Sequence, residues 1–162
     1  MTLEELAAYL EEVRGRARTS AGPVVKEVAD TYRDHLKDVT LRRSFAMPGQ
    51  FGTPAPPGGP PAWRTGALAA SVTSWQGADL GSKAWAWVAP HTIYAATQEY
   101  GRVIRARRFR HMHWTNTGGE WWKKVVRLPA RPYREPALED VLADGSLRRH
   151  AVAVFASITG LH

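Results

Sequence analysis

The chain has 162 residues, 44% of them apolar, and a formal charge of +7. That length suits a single domain able to bury roughly 70% of its unfolded surface. The absence of cysteine excludes disulfides and thiolate metal sites, and no apolar run approaches the roughly 20 residues that span a bilayer.

Residues 1–45 read as helices. Met1, Thr2, Leu3, Glu4 and Glu5 form an acidic start that does not resemble a signal peptide, so folding in a cytoplasm is expected. Thr2 and Glu5 have capping-box spacing, and Leu3, Leu6, Leu10 and Val13 recur at helical intervals. A second helix is expected from Pro23, with a break near Gly22 and an apolar stripe of Val25, Val28, Ala29, Tyr32 and Leu36. Such helices can pack on the body of the domain or serve a subunit contact.

Residues 46–62 are rich in proline and glycine. Proline removes backbone donors and glycine raises the entropy lost on ordering, which predicts a long loop or spacer. Two states fit: a disordered loop, or an arm that orders against a neighbouring subunit.

Residues 63–162 read as a sheet and a closing helix. Thr65 is placed to cap a turn through Ala70, and Val72 to Trp75 has the composition of a strand. Residues 83–89 read as a second strand, after a turn at 79–82, with Trp85 and Trp87 on one face. Thr92 is expected to cap a short helix that Gly101 ends. Residues 107–114 and 120–128 read as two strands joined at Asn116-Thr117-Gly118-Gly119, a hairpin signal. Pro132 and Pro136 lead into a helix carrying Ala137, Leu138, Val141 and Leu142. Gly145 breaks it, and Ser146 is placed to cap its continuation. The order predicts an α+β fold: a single domain with one mainly antiparallel sheet of about four strands.

The charge points to an anionic partner, either nucleic acid or an acidic protein surface. It is densest from Gly101 to Arg134, where Arg102, Arg105, Arg107, Arg108, Arg110, Lys123, Lys124, Arg127, Arg131 and Arg134 face one acid, Glu120. Trp114, Trp121 and Trp122 are interleaved. This surface could meet an acidic protein, track DNA phosphates and stack bases, or simply be solvated.

His111 and His113 sit two apart on an expected strand, with His91 as a conceivable third ligand. No fourth ligand has fitting spacing, so no metal is expected. Ser71 and Ser74 lack a nucleophile elbow, Glu99 lacks a second carboxylate, and the glycines at 58 and 59 lack the context of a phosphate loop. No catalytic set and no cofactor are expected.

Three motifs carry a resemblance: Thr65-Gly66-x-Leu68-x-x-Ser71-Val72, Tyr94-Ala95 followed by Glu99-Tyr100-Gly101, and Pro129-Ala130-Arg131-Pro132-Tyr133-x-x-Pro136-Ala137-Leu138. In this order the chain resembles, over residues 60–145, the tail-completion or head–tail joining (neck, minor tail) proteins of long-tailed double-stranded DNA bacteriophages. The resemblance implies a non-enzymatic virion protein, assembled in the bacterial cytoplasm as a ring of six copies. Its implied neighbours are the connector or stopper, the tail terminator and the tail tube, with packaged DNA in the lumen and no membrane. Thr65, Gly66, Leu68, Tyr94, Glu99, Gly101, Arg131, Pro132, Tyr133 and Pro136 would be scaffold. The ribbon 102–127 would face a neighbouring ring or DNA, and residues 46–62 would reach an adjacent protomer. The alternative from composition alone is a small DNA-binding protein using the same hairpin.

Overall fold

The computed structural model describes residues 3–42, 55–62, 65–77, 83–107, 110–116 and 119–160. The fold is α+β, and its chain is divided between two compact units.

The first unit comprises residues 1–35, 72–89 and 138–162. Its centre is helix α2 (Ala21–His35), which packs on strand β1 (Val72–Gln76) and on helix α6 (Ser146–Thr159), while α1 (Leu3–Thr19) packs on α6. The expected stripe places Ala29 inside, and Val72 and Val141 are fully buried. The break between α1 and α2 falls at Ser20 rather than Gly22. The Ser20 hydroxyl donates to the Ala17 carbonyl (2.7 Å), a local bond that competes with helix propagation.

A polar cluster ties α2 to β1. Asp30 accepts hydrogen bonds from Lys26, Arg33 and Ser74, each at 2.5 Å. Burial opposes ionisation of Asp30. The bonds from Lys26 and Ser74 and the charges of Arg33 and Lys26 outweigh it, holding the carboxyl below its usual range. β1 pairs with β2 (Ala86–Pro90), and beyond the strand end Gly77 N donates to Trp85 O (2.9 Å). A Cβ at Gly77 would lie 1.9 Å from the Trp85 ring, so only glycine lets the indole lie flat there.

The second unit comprises residues 36–71 and 90–137. It holds a π-helical turn (Leu36–Leu41), α3 (Ala67–Ala70), α4 (Ala95–Tyr100), strands β3 (Arg102–Arg105), β4 (Met112–Asn116), β5 (Gly119–Lys123) and β6 (Val125–Leu128), and the start of α5 (Arg134–Ala143). Leu36, Leu41, Ala69, Ala95, Tyr133 and Ala137 form its buried core.

Several expectations are corrected. Instead of one sheet of about four strands there are three two-stranded sheets, β1–β2, β3–β6 and β4–β5. The strand expected at 107–114 begins only at Met112. Thr92 does not cap α4: its buried hydroxyl has no hydrogen-bond partner, and the N-cap residue, Tyr94, makes no side-chain cap bond. Ser146 does not cap α6 either. Gly145 occupies that position at φ 70°, and the Asp144 carboxylate accepts from Ser146 N (2.7 Å). This bond lowers the Asp144 pKa, helped by the Ser146 hydroxyl, Arg149 and His35.

Within the Pro/Gly-rich segment, residues 55–62 are held by their own unit. Gly58 N donates to Ala130 O (3.1 Å), Arg131 Nε donates to Ala55 O (2.9 Å), and Pro61 is buried. Residues 46–54, Thr2 and the turn at 79–82 lie outside the described residues.

Candidate functional site

Two constellations stand out in the second unit. The first is where the three scattered motifs converge. Glu99 is 8% exposed, and its carboxylate accepts the Tyr133 N–H at 3.1 Å. The Tyr133 hydroxyl reaches Ala95 O at 3.5 Å, and Arg131 N donates to Gln98 O at 2.7 Å. Gly101, at φ 69°, passes so close to the returning chain that a Cβ would lie 2.8 Å from Ala130 N and from Leu128 O. The Thr65 hydroxyl accepts Ala67 N (3.3 Å) at the start of α3. Thr65, Gly66, Leu68, Tyr94 and Arg131 line one hollow of ≈ 400 Å³. Residues 34 positions apart are thus locked by hydrogen bonds between backbone and side chain. Pro132 and Pro136, both half-buried, flank the buried Tyr133 in sequence.

The second constellation is a long β-ribbon. β3 runs antiparallel to β6 in the register Arg102↔Leu128 through Arg105↔Val125, extended by Ala106 N donating to Lys124 O (3.0 Å). β4 pairs with β5 from Met112↔Lys123 to Asn116↔Gly119. Lys124 and Lys123 are consecutive, whereas their partners Ala106 and Met112 are separated by residues 107–111. Between the two ladders the register thus steps by five residues on one strand and none on the other, the effect of a large bulge. His111 falls within this step, so it does not share a strand face with His113 as expected.

The ribbon is barely covered. Every residue of β3 and β5 is exposed, including Val103 (44%), Ile104 (39%), Trp121 (42%) and Trp122 (61%). Trp122 stacks on His113, with ring centroids 4.1 Å apart. His113 Nε2 lies 3.6 Å from a Glu120 carboxylate oxygen, and Lys123 Nζ lies 5.8 Å from the Trp121 ring. The register sets Arg102 and Ile104 on one face and Val103, Arg105 and Arg127 on the other. Arg107, Arg110 and Lys124 are exposed at the break between the ladders. Arg108 lies outside the described residues, and of Trp114 only its strand position is described.

All of the chain's net charge is here. Residues 102–127 hold eight of the 22 Lys and Arg and one of the 15 Asp and Glu, which leaves fourteen of each sign elsewhere. Among the described residues, none of Arg102, Arg105, Arg107, Arg110 and Arg127 pairs with a carboxylate. Arg105, Arg107, Arg110, His111, His113 and Trp122 line an open groove of ≈ 550 Å³. A second hollow of the same volume along β3 shares Arg105 and Arg107 and adds Arg102. The two histidines join the arginines here, a juxtaposition that spacing along the sequence did not reveal. Among the described residues no group of three His, Cys, Asp or Glu is placed to hold a metal ion, and no helix is long and apolar enough to cross a membrane. No protein-family model, curated protein or solved structure matches the chain.

Proposed function

We propose that the chain is a structural subunit of a bacteriophage neck or tail, which closes into a homo-oligomeric ring and helps join the tail to the head connector. The observation that carries the reading is the ribbon. A two-stranded hairpin is marginally stable alone in water, and here one displays valine, isoleucine and tryptophan on uncovered surface. Tryptophan and arginine supply the contact area and planar hydrogen bonding that interfaces concentrate. Supporting the choice of family is the resemblance of three motifs, whose residues interlock around Glu99 and Tyr133 and so act as a fold-defining unit.

Head-to-tail contacts that close give rings, and the family resemblance implies six copies. The ring's other neighbours are the connector or stopper on one side and the tail terminator or tail tube on the other. Negative-stain imaging of the purified chain tests this reading: rings about as wide as a tail tube are expected, and a chain that stays monomeric at every concentration refutes it.

A further inference from the structure

We propose that the groove lined by Arg105, Arg107, Arg110, His111, His113 and Trp122, together with the basic track along β3, binds the phosphate backbone of duplex DNA. The inference does not rest on the ring reading; that reading draws on the ribbon's exposed apolar side chains, and this one names a ligand for its arginines.

The first argument is sign. The groove presents Arg105, Arg107 and Arg110 with two histidines and no carboxylate in its lining. Arg102 continues the same sign along β3, and Arg127 stands directly across from Val103. Interfaces between proteins match opposite signs patch against patch. A polyphosphate needs only one sign, repeated, because duplex DNA carries one negative charge per roughly 1.7 Å of axis. A segment that holds the chain's whole surplus of positive charge is matched to that polymer.

The second argument is geometry. The pairing register puts arginines on both faces of the ribbon. A ribbon lying in the major groove, about 12 Å wide and able to admit a two-stranded ribbon, has a phosphate chain on each side. Trp122, braced by its stack on His113, gives the arginine-lined groove of the ribbon a flat wall beside the cations. Contacts to phosphates fix register but carry no sequence information, so binding independent of sequence is expected.

The test uses the full chain and a short labelled duplex of arbitrary sequence, followed by fluorescence anisotropy. With about six phosphate contacts, affinity should fall roughly 10³-fold between 50 and 200 mM salt. The variant Arg105→Gln, Arg107→Gln, Arg110→Gln should bind roughly 100-fold more weakly and lose about three units of salt slope. Arg14→Gln, Arg18→Gln, Arg148→Gln, the same charge removed from exposed helix positions, should bind as the parent does. Circular dichroism checks that both variants fold. A groove variant that is folded but binds normally overturns the proposal. So does equal loss in the helix variant, displacement of the duplex by poly-glutamate at matched charge, or a parent salt slope shallower than about two. A monomer that binds DNA as described refutes the ring and supports this site; a ring that ignores DNA overturns this site alone.

Discussion

Glu99 and Trp122 belong to the same unit and sit under opposite constraints. Glu99 is buried although it is a carboxylate, and it repays its desolvation by accepting the Tyr133 N–H. Trp122 is 61% exposed although it is the largest side chain type, and it stacks on a ribbon neighbour, His113. Polar groups go inside where they lock distant segments together, and apolar rings stay outside where a partner can cover them. The buried Glu99 and the exposed Trp122 thus separate residues that make the fold from those left for a partner.

The separation makes graded predictions. Tyr133→Ala should cost the most, about 3–5 kcal/mol, because it empties a fully buried aromatic site. Chemical denaturation reads this directly, and a loss under 1 kcal/mol would remove the motif cluster from the core. Glu99→Ala should cost about 1–3 kcal/mol by stranding the Tyr133 N–H, and Glu99→Gln less, since its amide oxygen can still accept.

Acid should have a smaller effect, through Asp30 and Asp144, whose carboxyls both titrate below the usual carboxylate range. A depressed carboxyl contributes stability above its unfolded pKa, near 4, and loses it as pH falls through the folded value. Unfolding free energy should therefore drop below about pH 4, and Asp30→Asn should flatten that drop. An unchanged acid limb in the variant would show that the Asp30 cluster does not contribute. The smallest change in stability belongs to the ribbon: Trp121→Ser with Trp122→Ser should shift the melt from that of the dissociated parent by no more than the roughly 0.5 kcal/mol of ordinary surface changes.

Helices were legible because apolar residues recur at the helical period; of the stripe Val25, Val28, Ala29, Tyr32 and Leu36, Ala29 and Leu36 are buried and the other three half-buried. The α+β class followed from element order. The ribbon was legible only in part: residues 107–114 and 120–128 were read as strands, whereas β3 at 102–105 was not. Residues 107–114 carry arginine, phenylalanine, histidine and tryptophan with no glycine or proline to mark an interruption. The step in register is visible only once Lys123 and Lys124 are seen to pair with Met112 and Ala106. Thr92 had the right residue type for a cap, yet its hydroxyl is buried without a partner. Glu99 was weighed as a lone carboxylate and set aside as catalyst. Its actual partner lies 34 residues on, a separation no local pattern reports. The basic surface was legible as charge, and its grouping into a groove with His111 and His113 required the fold.

The central claim, that the motif cluster builds the fold and the ribbon builds the assembly, is tested most directly by native mass spectrometry on the parent chain and on Trp121→Ser/Trp122→Ser, with thermal melts of both. The account predicts a closed oligomer for the parent and a monomer for the variant, whose melt matches that of the parent diluted until it dissociates. A parent that never assembles, or a variant that assembles as well as the parent, contradicts it.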